Sequence, residues 1–481
     1  MAKHKVDSDL KKLTGFMAGA RKQNKSLVNM GLSLVFLIAV FIYATLEFGG
    51  GGTSVFIVAA AVIGAYMAMN IGANDVANNI GPAVGSRALT MVGALVIAAV
   101  FETAGALIAG GDVVSTIRKG IIDPAGMADQ MVFIWAMMSA LLAAALWLNL
   151  ATWVGAPVST THSIVGGVVG AGVAAAGMDS VAWPKLYMIA ASWVISPVLG
   201  GLIAAMFLLF IKKMILARDD MLEAARTWVP VLVGIMVGAF SMYLVMKGLK
   251  KIWKPDAAML WMIAFAGFAV TWVITRPLVA KASKGLENRR KSVAHLFTIP
   301  LIGSAALLSF AHGANDVANA VGPLAAIVSV ASDASVGGGK IALPLWVMVI
   351  GAVGISIGLL LYGPKLIRTV GEKITKLNQM RAFCVALAAA ITVITASWLG
   401  LPVSSTHIAV GGVFGVGLLR ERLENRSSKK SETPKAKKKT AARKLVRRNA
   451  MVSIAMAWVI TVPAAGLLSA GLFFALSGMF G

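Results

Sequence analysis

Gly72-Ala73-Asn74-Asp75-Val76-Ala77-Asn78-Asn79 recurs 241 residues later as Gly313-Ala314-Asn315-Asp316-Val317-Ala318-Asn319-Ala320, and each copy is followed within three residues by Gly-Pro. A second block, Pro157-Val158-Ser159-Thr160-Thr161-His162, recurs after 245 residues as Pro402-Val403-Ser404-Ser405-Thr406-His407, and a Val-Gly-Gly-Val run follows both. Two motifs repeated at nearly one spacing mean that a whole unit of chain is duplicated.

The sequence around these blocks is that of a polytopic helical membrane protein. Of its 481 residues, 58% are apolar and only 13% charged, against roughly 45–50% and 25% in soluble proteins. So few charges cannot cover a soluble fold of this size, which excludes a soluble enzyme or nucleic-acid-binding module. Continuous apolar runs exclude a β-barrel, whose strands alternate. Candidate spans of about 20 residues begin near Leu27, Thr53, Ala88, Met131, Val158, Leu186, Trp228, Ala257, Leu296, Leu343, Ala382, Val403 and Met451, about thirteen in all.

Seven of these spans start from Thr53 up to Leu296, where the second copy begins. An odd number sends the two copies through the membrane in opposite directions, and parity survives if the Pro-Val-Ser segments are re-entrant hairpins. This is the inverted-repeat plan of secondary transporters, with a site near mid-membrane where the repeats meet. The expected organisation is a basic cytoplasmic N-terminus (1–26), an extra membrane helix (27–52), a first repeat (53–211), connecting helices (212–295), a second repeat (296–419), a basic cytoplasmic loop (420–449) and a last membrane helix (450–481).

The net charge of +24 records orientation rather than a nucleic-acid partner. With the N-terminus inside, 36 of the 44 Lys and Arg residues fall on the cytoplasmic side, as the positive-inside rule requires. Arg118, Lys119, Lys185, Lys247, Lys250, Lys251, Lys254 and Lys340 fall outside, and the C-terminus is expected outside too. The run Leu27 to Phe48 reads as a signal anchor, and Arg420 to Arg448 as a disordered cytoplasmic loop. The single cysteine, Cys384, leaves no disulfide framework or thiolate metal site.

Asp75 and Asp316 carry the first piece of chemistry. A carboxylate within a span is costly and usually faces a cavity, a partner or a functional ion. Asn74 and Asn78, like Asn315 and Asn319, are four residues apart and share a helical face beside the aspartate. Carboxylate and amide oxygens are hard ligands, suited to Na⁺ or another hard cation. The second piece is Ser159, Thr160 and Thr161 with Ser404, Ser405 and Thr406, hydroxyls placed where a helix starts after a proline. Exposed amides at two such N-termini, one from each repeat, can hold a tetrahedral anion between them, with Asn74, Asn78, Asn315 and Asn319 adjacent as further phosphate contacts. Ordinary N-capping accounts for Ser159 or Ser404 but not for three consecutive hydroxyls. His162 and His407 read as neutral residues orienting the loops. Glu102, without an acidic counterpart in the second repeat, is a secondary cation-site candidate or a partner for Arg118 or Lys119. An inverted duplication gives no reason for a Ser-His-Asp hydrolase, so no catalytic residues are assigned. An ion channel remains the other class of function, and it would carry currents far above carrier turnover.

The paired Gly-Ala-Asn-Asp-Val-Ala-Asn and Pro-Val-Ser-x-Thr-His blocks resemble the inorganic phosphate transporter (PiT) family over about Thr53 to Gly481. Ile117-Arg118-Lys119-Gly120 and Ile367-Arg368-Thr369-Val370-Gly371 add to the likeness. The resemblance implies a symporter of about twelve spans that takes up phosphate with a cation, the two blocks lining its site, and a homodimer in a bacterial-type inner membrane. Na⁺ is the favoured coupling ion, given the oxygen-rich aspartate blocks; H⁺ or a metal–phosphate complex is the alternative, and no other cofactor is expected. Two departures stand out: the extra helix from Leu27 to Phe48, and Ala386 where many eukaryotic members carry a glutamate.

Overall fold

In a computed structural model of the chain, residues 2–50, 54–122, 127, 129–156, 158–248, 253, 255–331, 343–373, 377–429 and 448–480 are described. Among them are sixteen α-helices and no strand, only an isolated bridge between Ile122 and Val181. Helix α1 (Ala2–Phe48) precedes α2 (Ser54–Asn79), α3 (Gly81–Gly85), α4 (Met91–Ala109), α5 (Gly111–Gly120), α6 (Gln130–Val154), α7 (Thr160–Ala176) and α8 (Trp183–Ile211). Then come α9 (Met221–Gly248), α10 (Ala257–Ala282) and α11 (Arg290–Leu296). The second copy of the motifs lies in α12 (Thr298–Ala331), α13 (Leu345–Lys373), α14 (Gln379–Trp398), α15 (Ser405–Lys429) and α16 (Arg448–Phe480).

Eleven helices among the described residues are long and apolar enough to cross a membrane. The two starts near Val158 and Val403 fall out of the expected thirteen. Helix α7 has only 17 residues, and α15 runs into the charged stretch after Arg420. Each is instead the second arm of a hairpin. Gly155 ends α6 and Gly400 follows α14, both in the left-handed region (φ 75° and 68°), where glycine turns the chain without strain. Between α2 and α12 the helices α2, α4, α8, α9 and α10 are each long and apolar enough to cross. Helix α6, though long enough by itself, turns back at Gly155 into α7, so that the pair counts together as two crossings or none. The number of crossings is odd either way.

The stretch from Arg420 is not irregular from its start, as the sequence reading expected. Residues to Lys429 continue helix α15, helped by helix-forming Leu and Glu and by an Arg420–Glu424 pair one turn apart at 3.4 Å. Residues 430–447 of the expected loop lie outside the described residues.

The two halves interlock rather than sit side by side. Helix α2 packs on α13, and its counterpart α12 packs on α4; likewise α7 packs on α16, and α15 on α8. Lipid gives no hydrophobic drive for helices to associate, so close van der Waals approach through small residues has to hold them. The motif glycines supply it: a Cβ on Gly72 would collide with the Ile355 carbonyl, and one on Gly313 with the Glu102 carbonyl. Helix α12 is accordingly the most enclosed span, with 89% of its apolar window buried, whereas none of that of α10 is. Both aspartates therefore lie at the centre of the bundle.

Candidate functional site

Helices α7 and α15 begin as their sequences dictate. Ser159 Oγ accepts from the His162 amide at 3.1 Å, and Ser404 Oγ from the His407 amide at 3.3 Å. These serines are N-caps, so their hydroxyls are engaged in the turn that starts each helix. The next two residues of each helix offer amides with no partner inside the helix. The two N-termini face one another: the rings of His162 and His407 are 4.4 Å apart between centroids.

The remaining hydroxyls reach across to the aspartate helices. Thr406 Oγ1 donates to Asp75 Oδ1 at 2.9 Å and accepts from Asn78 Nδ2 at 2.7 Å. From the other side, Asn319 Nδ2 donates to Thr160 Oγ1 at 3.3 Å and Thr161 Oγ1 at 3.2 Å. Thr161 Oγ1 also donates to the Val403 carbonyl at 2.9 Å, joining one loop to the other. Ser405 Oγ donates to Asp316 Oδ2 at 3.0 Å. Each loop thus touches the opposite repeat's motif helix, and all ten of these Ser, Thr, Asn and Asp side chains are buried.

Asn74 and Asn315 play a different geometric part from Asn78 and Asn319. Asn74 Nδ2 donates to Thr152 Oγ1 at 3.0 Å and to the Ala156 carbonyl at 3.4 Å, bracing the hairpin of its own repeat. Asn315 mirrors it, donating to Ser397 Oγ at 2.9 Å and the Leu401 carbonyl at 3.1 Å while accepting from the Val403 amide at 3.2 Å. Two asparagines one helical turn apart therefore shape a loop and contact the facing loop, respectively.

A third group breaks the symmetry. His312 Nε2 lies 2.8 Å from Asp316 Oδ2 and 3.5 Å from Asp75 Oδ2, and its Nδ1 lies 3.1 Å from Glu102 Oε2. Asn79 Nδ2 donates to Glu102 Oε1 at 2.9 Å. Glu102 thus joins the centre through Asn79 and His312. One imidazole surrounded by three buried carboxyl groups concentrates negative charge where water cannot screen it, and positive charge is needed among them. Three amide oxygens of the motif helices, Asn74 Oδ1, Asn79 Oδ1 and Asn319 Oδ1, are buried with no hydrogen-bond partner among the described residues. One ligand atom each from Asp75, His312 and Asp316 come within 4.8 Å of one another.

His312 and Asn79 were not singled out by the sequence reading. In the 241-residue register His312 stands opposite Ile71, and Asn79 opposite Ala320, so a search for duplicated residues passes over both. The signal available was spacing: His312 is one helical turn before Asp316 and must share its face.

Known proteins resemble this chain over most of its length. The profile of the phosphate transporter family matches residues 71–469, which include every motif discussed. A relative from Helicobacter pylori strain J99, named "Putative phosphate permease", is 45% identical, covering 97% of this chain and 98% of its own. One of the same description from Pyrococcus abyssi is 37% identical over 86% of this chain and 96% of its own. Among solved structures, "The sodium-dependent phosphate transporter" superposes with a TM-score of 0.80 at 34% identity, covering 89% of this chain and all of that one.

Proposed function

Since the chain belongs to the phosphate transporter family, a family of transporters rather than enzymes, we propose that it imports inorganic phosphate by symport with a cation, Na⁺ before H⁺. The observation that carries this reading is the meeting of two helix N-termini, with Thr160, Thr161, Ser405 and Thr406 at their tips, beside Asp75 and Asp316. Amide groups at the starts of α7 and α15 complement the negative oxygens of phosphate, and hydroxyls and the Asn78 and Asn319 amides donate the remaining bonds. Asp75 and Asp316 would repel the same anion. A cation held by their carboxylates and by the unpartnered oxygens of Asn74, Asn79 and Asn319 removes that repulsion. Carboxylate and amide oxygens are hard ligands of the kind that suits Na⁺. The coupling follows: phosphate binds well only after the cation, and the cation is held more tightly once phosphate is there.

Ser159 and Ser404 act in this reading through the caps they form, and Asn315 through the loop it braces. Glu102 enters through its contacts with Asn79 and His312 as an outer part of the cation site. Proton coupling has one observation in its favour, the titratable imidazole of His312 among three carboxyl groups. The reading includes an N-terminus in the cytoplasm, a C-terminus outside and a homodimer. Calorimetric titration of phosphate into purified protein, with and without Na⁺ and at two pH values, tests the shared site. Tighter binding in Na⁺ supports it, a response to pH alone moves the assignment to protons, and identical affinity throughout refutes it.

A further inference from the structure

Trp193-Val194-Ile195 in α8 and Trp458-Val459-Ile460 in α16 are a third duplicated stretch, each followed closely by a proline, Pro197 and Pro463. The two indoles frame the loop histidines. Trp193 lies against His162 with ring centroids 3.9 Å apart and planes tilted by 46°, and Trp458 stacks on His407 at 3.6 Å and 28°. His162 and His407 themselves meet edge to face at 4.4 Å and 84°. Four rings thus make one continuous column, Trp193–His162–His407–Trp458, across the junction of the repeats. It stands directly behind Thr161 and Thr406, each of which precedes a histidine of the column.

The order of the rings is symmetric, but the hydrogen bonds of the indoles are not. Trp193 Nε1 donates to the Pro402 carbonyl at 3.1 Å, tying α8 of the first repeat to the Ser404 loop of the second. Trp458 Nε1 is buried without a hydrogen-bond partner among the described residues. A buried N–H left unpaired costs free energy comparable to a lost hydrogen bond. One bonded and one orphaned donor at duplicated positions is the arrangement expected of an element with two states that differ in which donor is satisfied.

We propose that Trp193 and Trp458 are positioning residues of an alternating latch. In the arrangement described here the Trp193–Pro402 bond holds the second-repeat loop closed. In the opposite arrangement that bond is broken, and the Trp458 indole is the donor that is satisfied. The column of rings is the pivot: it keeps the two loops at one separation, and so keeps the hydroxyls matched to one anion, while the end bonds exchange. The latch rests on the transporter reading, which requires two arrangements open to opposite sides. The number of indole hydrogen bonds is the same in both, so neither arrangement is favoured by this element alone.

Trp→Phe variants test it, because phenylalanine keeps an aromatic ring in the column and removes only the donor. In a Cys384→Ala background, single cysteines replacing Ala156 and Leu401 report the two loops through labelling by a membrane-impermeant maleimide from each side of proteoliposomes. Trp193→Phe should raise labelling at Leu401→Cys relative to Ala156→Cys about fivefold, the worth of one ordinary hydrogen bond. Trp458→Phe, which loses no bond in the arrangement seen here, should fold normally and shift the ratio the other way by a similar factor. The double variant should return near the parent ratio. Shifts of both single variants in the same direction, or no shift in Trp458→Phe, would overturn the latch. Phosphate uptake by the same vesicles reports separately on the transport reading.

Discussion

Thr406→Val keeps the shape of the side chain and deletes one hydroxyl that serves two partners. That hydroxyl donates to Asp75 Oδ1 at 2.9 Å and accepts from Asn78 Nδ2 at 2.7 Å, at a residue 1% exposed. A hydrogen bond to a charged group is worth about 1.5–3 kcal/mol and a neutral one about 0.5–1.5 kcal/mol, so the variant forfeits about 2–4.5 kcal/mol. Water cannot replace a donor in so enclosed a position, and the loss divides between folding stability and ligand affinity. The phosphate dissociation constant should rise at least about tenfold, Na⁺ binding should weaken because Asp75 has lost its orienting donor, and the denaturation midpoint in detergent should fall. Thr406→Ser should recover most of all three. The contrasting variant is Thr161→Val, whose hydroxyl donates to the Val403 carbonyl at 2.9 Å and stays 3.5 Å from Asp316. It should weaken phosphate binding and spare Na⁺ binding. Wild-type affinity for both ions and an unchanged midpoint in Thr406→Val would refute the assignment of this hydroxyl to the site.

Asp75→Asn and Asp316→Asn should each abolish or sharply reduce coupled phosphate uptake while the protein remains monodisperse, because an amide is a weaker cation ligand and carries no proton; wild-type uptake by both would make the carboxylates structural. His312→Leu should lower thermal stability by leaving Asp75, Glu102 and Asp316 without a nitrogen between them, and adding Glu102→Gln should restore part of it, an interaction visible in a double-mutant cycle. Gly313→Ala should cost about 1–3 kcal/mol or prevent folding, since the new methyl meets the Glu102 carbonyl rather than a side chain able to move; chromatographic yield and melting temperature check it.

What the sequence disclosed was what had been written twice. Asp75 and Asp316, Thr161 and Thr406, and the glycines that let α2 and α12 approach α13 and α4 all recur at a fixed offset, so their position at the junction of the repeats could be read in advance. Composition and the length of apolar runs sufficed for a helical membrane bundle. The hairpins were harder: the run after Pro157 is apolar enough to resemble a span, and only its length of 17 residues in helix α7 separates it from one. His312, Asn79 and the cross-repeat role of Trp193 were least visible. They depend on which side chain faces which across interlocked helices, and neither His312 nor Asn79 is duplicated. The separate roles of Asn74 and Asn78 were equally hidden, because spacing of four puts both on one face without saying which loop each meets.

The most direct measurement is uptake of labelled phosphate into proteoliposomes containing the purified protein, with Na⁺ and H⁺ gradients imposed separately at fixed membrane potential. The account predicts saturable accumulation above equilibrium when an inward Na⁺ gradient is present and little when only a pH gradient is. Accumulation driven by the pH gradient alone would contradict Na⁺ coupling, and phosphate flux that only dissipates its own gradient, at rates far above those of a carrier, would contradict symport altogether.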